Sequence, residues 1–93
     1  MKLKDIRPNQ YPAYYLMMAF GYYELDSPIA SDAAFDKLSK LFKEKYDEIE
    51  HPHKQLITID MLDAGTYIGS YPEMAKGGYM ALKEKLGKKT ITL

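Results

Sequence analysis

Ser31-Asp32-Ala33-Ala34-Phe35-Asp36-Lys37-Leu38-Ser39-Lys40-Leu41-Phe42-Lys43-Glu44-Lys45-Tyr46-Asp47-Glu48-Ile49 decides the fold class. Phe35, Leu38, Phe42, Tyr46 and Ile49 recur at spacings of three and four, which puts them on one face of a helix. Lys37, Lys40, Lys43, Glu44, Asp47 and Glu48 fall on the other side, and Lys40–Glu44 reads as an i,i+4 ion pair. Ser31 is a strong N-cap, and Asp32 suits the positive end of the helix dipole. Pro52 ends the run, so the spacing predicts a helix over about residues 32–50.

Working outward, the stretch Pro8 to Tyr23 holds sixteen residues without a charge, five of them tyrosines. Asn9 is a candidate N-cap, and Pro12 fits a first helical turn, where its missing N–H costs nothing. A helix over about 10–24 follows, apolar around nearly its whole circumference and therefore buried on most sides. Gly21 either weakens its last turn or lets another group approach the backbone closely. Asp26-Ser27-Pro28 is a turn, and the short connection Leu25 to Ser31 makes the two helices antiparallel neighbours.

Toward the C-terminus the pattern is weaker. Leu56-Ile57-Thr58-Ile59 reads as a short strand or as the lead into a short helix capped by Thr58 or Asp60, with Gly65 and Gly69 as breakers. Ser70 or Tyr71 before Pro72 starts a third helix over about 72–86, with Met74, Ala75, Tyr79, Leu82 and Leu86 as its stripe. Gly77-Gly78 inside it marks a kink or a close contact. The tail Lys88 to Leu93 is β-prone or frayed. The expected fold is mainly α: an antiparallel helical hairpin plus a third helix, packed through Tyr15, Met18, Phe35, Leu38, Phe42 and Leu82, with a short β segment or an irregular tail.

Ninety-three residues make one domain, and a chain of that length buries only roughly 60–65% of its unfolded surface. Thirteen acids balance thirteen lysines and arginines. Neither half carries the basic excess of a nucleic-acid-binding module. The uncharged stretch Pro8 to Tyr23 is too short to span a bilayer comfortably. With no cysteine, there is no disulfide framework and no thiolate metal site. The lead-in Lys2, Lys4, Asp5, Arg7 has no apolar core after it like that of a signal peptide, so the expected location is the cytoplasm.

The string Tyr22-Tyr23-Glu24-Leu25-Asp26-Ser27-Pro28-Ile29-Ala30-Ser31-Asp32-Ala33-Ala34-Phe35-Asp36-Lys37-Leu38 resembles the N-terminal helical domain of bacterial NAD-dependent DNA ligases, often called domain Ia. That family typically shows Tyr-Tyr or Tyr-His, then Asp-x-Pro, then Ser-Asp-x-x-Tyr-Asp-x-Leu at this spacing. His51-Pro52 and Leu56-Ile57 match a later His-Pro and apolar pair. The resemblance covers about residues 14–57, and its most specific part is the frame from Tyr22 to Asp36. It implies a cap that closes over the nicotinamide mononucleotide half of NAD. The residues that carry over by position are Tyr22, Tyr23, Asp32, Phe35 and Asp36. Phe35 stands where the family usually has tyrosine, and Ala34 replaces the usual glutamate, a capping-box partner for Ser31.

The residue chemistry suits such a role. Tyrosines can stack on a planar nicotinamide ring, whose positive charge favours an aromatic face. Asp32 and Asp36, four apart, share one helix face and can accept hydrogen bonds from a carboxamide or from ribose hydroxyls. Each residue also has an ordinary structural use: an aspartate after a serine cap is favoured by the dipole alone, and tyrosines at a helix end commonly pack half-buried.

Catalytic machinery is not readable. A ligase adenylation site needs Lys-x-Asp-Gly, and Lys45-Tyr46-Asp47-Glu48 lacks the glycine and reads as a solvated helix face. No Walker loop, Gly-x-Gly-x-x-Gly or nucleophile–base set is present. His51 and His53 offer two metal ligands without an evident third.

Two functions follow. In the first, a free-standing, non-catalytic cap binds NAD or nicotinamide mononucleotide weakly, or completes a ligase adenylation domain carried on another chain. Small free-standing pieces of this kind suggest a phage or mobile-element gene. In the second, the cap fold survives as a protein-interaction or regulatory module for a host or self partner, using apolar surface of the first helix that so small a domain cannot cover.

Overall fold

The computed structural model describes residues 1–93 and is mainly helical. Helix α1 spans Tyr11–Ala19 and continues as a π-helical turn over Phe20–Glu24. Helix α2 spans Asp32–Glu44, α3 Ile59–Ala64 and α4 Glu73–Leu86. Single 3-10 turns at Leu3–Asp5, Pro8–Gln10, Tyr46–Glu48 and Lys54–Leu56 join them. No helix is long and apolar enough to cross a membrane.

Helices α1 and α2 pack antiparallel, as ring contacts running in opposite order show. Tyr11 meets Phe42 at 6.5 Å between centroids, Tyr15 meets Phe35 at 5.1 Å, and Tyr22 meets Phe35 at 6.4 Å. Of the six expected packing residues, Tyr15, Met18, Leu38 and Phe42 are buried, while Phe35 and Leu82 lie partly buried against the core. Helix α4 crosses the far side of α1. Gly78 faces Met17 there, so a Cβ on it would sit 2.8 Å from the Met17 sulfur, whereas Gly77 faces open space. The glycine pair therefore marks a close contact and not a kink. Between them, α2, α4 and the chain termini cover α1, whose Tyr11, Pro12, Tyr15, Leu16, Met17, Met18 and Ala19 are all buried.

Four expectations need correction. Asn9 does not cap α1. Gln10 occupies the N-cap position without a side-chain bond, and Asn9 Oδ1 instead accepts the Glu50 backbone N–H at 3.1 Å. Helix α2 stops at Glu44, six residues short of the expected end. Lys45 leaves the helix and Tyr46 starts a 3-10 turn, which lets the Tyr46 hydroxyl donate to the Ile57 carbonyl at 2.6 Å. Lys40 pairs with Asp36 at 3.2 Å and not with Glu44. An acid four residues before a base is the better orientation on a helix, and Asp36 supplies it. The cap of α4 is Pro72, with no side-chain hydrogen bond.

Of the two readings left open for residues 56–59, the helix is the one found. Thr58 Oγ1 accepts the Met61 N–H at 3.2 Å, and Gly65, at φ 65°, ends the helix in the left-handed conformation that glycine adopts freely. The tail is ordered through isolated parallel bridges, Lys2 with Thr92 and Ala30 with Ile91. Leu3 N–H donates to Thr92 O at 2.7 Å, and Ser31 N–H donates to Ile91 O at 2.9 Å. Ile91 is fully buried, so the tail ties the N-terminal segment to the cap of α2.

Candidate functional site

The cap of α2 is where the site begins. Ser31 Oγ accepts the Ala34 N–H at 3.1 Å, which sets the first turn and fixes the directions of Asp32, Phe35 and Asp36. The π-helical turn after α1 brings Tyr22 and Tyr23 to the same end of the molecule. Tyr22 lies nearly parallel to Phe35, at 17° between planes, and edge-on to Tyr23 at 5.2 Å. Both tyrosines keep nearly half of their surface exposed.

All five sequence-nominated residues, Tyr22, Tyr23, Asp32, Phe35 and Asp36, line one open cleft of about 230 Å³. Two more members complete it, Ala64 and Gly65 at the end of α3. The sequence offered only one hint of these two, the Thr58 cap and Gly65 stop of a short helix, and nothing in it says where that helix docks. Docking depends on hydroxyls from far along the chain. Tyr23 donates to Gly65 O at 2.8 Å, and Tyr15 donates to Thr66 O at 2.6 Å and to Met61 O at 3.3 Å. Phe35 has one face on buried Tyr15, at 5.1 Å, so it supports Tyr22 from beneath.

The cleft is electronegative. The Asp32 carboxylate, ahead of partial desolvation and of Tyr23 and Asp26, pushes the Tyr22 hydroxyl above its ordinary pKa of 10.0. The fold thus favours neutral Tyr22. That contribution is present in full below pH 10 and is lost as pH rises through the raised value. The difference in tyrosinate absorbance between the wild type and Tyr22→Phe should therefore titrate above pH 10. Asp32→Asn should bring the midpoint back toward 10; an unchanged midpoint would mean that Asp32 does not act on this hydroxyl.

Asp36 is exposed and already paired with Lys40 through one of its oxygens, at 3.2 Å. Chemically, the arrangement offers exposed aromatic faces, two carboxylates that accept hydrogen bonds, and no nucleophile. Open on one side, it can hold one face of a planar ligand but cannot enclose it.

The histidines do not form a comparable centre. Their rings lie 5.3 Å apart, but His51 Nδ1 accepts the His53 backbone N–H at 3.1 Å. That bond fixes the tautomer with hydrogen on Nε2, the reverse of what a metal-binding Nε2 needs. No group of three or more His, Cys, Asp or Glu residues is placed to hold a metal ion. Phe20, Tyr71 and Tyr79 form a second aromatic cluster that belongs to the packing of α4, with Phe20 and Tyr79 edge-on at 5.4 Å.

Comparison of the chain with protein-family models, with curated proteins and with solved structures finds no match.

Proposed function

We propose that this chain is a non-catalytic module that holds the nicotinamide end of a nicotinamide nucleotide, weakly by itself or as the cap of an adenylation domain supplied by another protein. One observation carries the reading. Tyr22, Tyr23, Asp32, Phe35 and Asp36, the positions nominated by the resemblance to the ligase cap, are scattered over fifteen residues and two helices, yet line a single open cleft. The chemistry agrees: a cationic aromatic ring is attracted to tyrosine faces, and carboxylates accept from a carboxamide or from sugar hydroxyls.

Weak binding follows from the shape and from Phe35. An open cleft forfeits the enclosure that covers most of a typical ligand, and phenylalanine lacks the hydroxyl that the resemblance leads one to expect. A dissociation constant near 1 mM corresponds to only about 4 kcal/mol. A hydrogen bond to a charged group is worth roughly 1.5–3 kcal/mol, so losing either aspartate should take binding to background.

The test is a chemical-shift titration with nicotinamide mononucleotide on the wild type, Asp32→Ala and Asp36→Ala. Saturable shifts at Tyr22, Tyr23, Phe35 and Gly65 in the wild type alone support the reading. No shift at millimolar concentration from either the mononucleotide or the phosphate-free riboside ends it. Equal binding by both variants means that another site is responsible. Asp32→Ala also removes a charge that favours the helix N-terminus, by about 0.3–1 kcal/mol, so each variant needs a melting curve as a fold control.

The interaction-module reading keeps only part of the first helix, because most of its apolar residues are buried while Ala13 and Tyr14 are partly exposed and Tyr22 and Tyr23 exposed.

A further inference from the structure

The cleft contains no cation. Its charged members are Asp32 and Asp36, and its remaining surface is aromatic or comes from Ala64 and Gly65. Next to it, sharing Asp36, a larger groove of about 530 Å³ runs between α2 and α3. Two lysines reach that groove, and both are occupied: Lys40 by Asp36 at 3.2 Å and Lys43 by Asp63 at 2.6 Å. With Glu44, the acids lining the groove are Asp36, Glu44 and Asp63 against Lys40 and Lys43, so the neighbouring surface is also net negative. The positive end of the α2 dipole does not offset this. Ser31 Oγ already takes the Ala34 N–H, and Asp32 sits in the same first turn.

We infer that the cleft selects by charge, taking the cationic, phosphate-free nicotinamide riboside in preference to the mononucleotide. The inference rests on the nicotinamide reading above and adds the form of ligand that the isolated chain accepts. A nicotinamide riboside carries one positive charge. The 5′-phosphate of the mononucleotide adds roughly −1.5 to −2 at neutral pH, which makes the whole ligand negative. Both ligands offer the same ring to Tyr22 and Tyr23 and the same hydroxyls to Asp32 and Asp36. They differ in what the phosphate meets, and here it meets carboxylates and lysines that are already paired. Interactions of this kind across several ångströms of solvent-exposed surface amount to a preference of several-fold to about tenfold at low salt. A site selective for the mononucleotide would need an arginine or lysine beside the cleft with no carboxylate partner of its own.

The experiment is a set of chemical-shift titrations of the full chain with nicotinamide riboside, nicotinamide mononucleotide and uncharged nicotinamide, at low and at high salt. The expected result is tighter binding of the riboside, by several-fold or more at low salt, with the gap narrowing as salt screens it. Nicotinamide should bind weakest, since it lacks both the charge and the sugar. Asp63→Asn lies outside the cleft and releases Lys43, so it should narrow the gap by strengthening mononucleotide binding while leaving the riboside nearly unchanged. Equal or tighter binding of the mononucleotide by the wild type would overturn the charge selectivity and leave the nicotinamide reading standing. No shift from any of the three ligands would overturn both.

Discussion

Gly21→Ala is expected to lower the stability of the fold by at least about 1–3 kcal/mol, the usual cost of forcing atoms into a filled space. A Cβ at Gly21 would lie 2.4 Å from Tyr79 Cε1 and 2.8 Å from the Ser27 carbonyl oxygen. Neither neighbour can retreat cheaply. The Tyr79 ring is buried and its hydroxyl donates to that same Ser27 carbonyl, while the Ser27 N–H donates to Gly21 O at 2.8 Å. Backbone, ring and turn are thus clamped together at the point where α1 widens into its π-helical turn. The turn sets the direction of Tyr22 and Tyr23, so the same substitution should disturb the cleft. Urea unfolding should show a lower midpoint with little change in slope. An unchanged midpoint would mean that the π-helical turn relaxes around a methyl group.

Tyr15 is the second sensitive position. It is fully buried, stacks on Phe35 and meets Phe42 edge-on at 6.1 Å. Tyr15→Ala should cost about 3–5 kcal/mol, the range for removing a large buried aromatic side chain. Tyr15→Phe separates packing from hydrogen bonding. It keeps the ring but strips Thr66 O of its donor, at about 1–3 kcal/mol if that carbonyl stays buried without a partner, while Met61 O keeps the Thr66 N–H at 3.1 Å. Because those carbonyls hold the end of α3 beside the cleft, Tyr15→Phe should also broaden the Gly65 amide resonance. A Tyr15→Phe protein as stable as the wild type would show that α3 docks without this bond.

Local signals in the sequence carry far in this protein. Ser31, the Phe35-Leu38-Phe42 stripe and the short Leu25–Ser31 connection lead directly to the antiparallel pair, and Pro72 and Gly87 bracket α4. What could not be read depends on partners distant in the chain. Tyr46 and Ile49 continue the helical spacing of α2, yet the helix ends before them, because Tyr46 reaches Ile57 and Ile49 packs in the core from a non-helical turn. Tail residues with no periodicity supply Ile91, as deeply buried as Phe42, through bonds to segments sixty and ninety residues earlier in the chain. The site divides the same way. Its five members on α2 and the π-helical turn were nominated from one continuous frame. Ala64 and Gly65 entered only because Tyr15 and Tyr23 reach across more than forty residues to the end of α3.

The central claim is that the nicotinamide ring rests against the tyrosines of this cleft. Intermolecular nuclear Overhauser effects between ligand and protein, recorded with nicotinamide riboside in excess, test it most directly. The account predicts cross-peaks from the pyridinium ring protons to the ring protons of Tyr22 and Tyr23, and none to His51 or His53, which line a separate pocket with Ala13 and Met17. Cross-peaks confined to residues outside the cleft, or none under conditions where the riboside is in saturating excess, would contradict it.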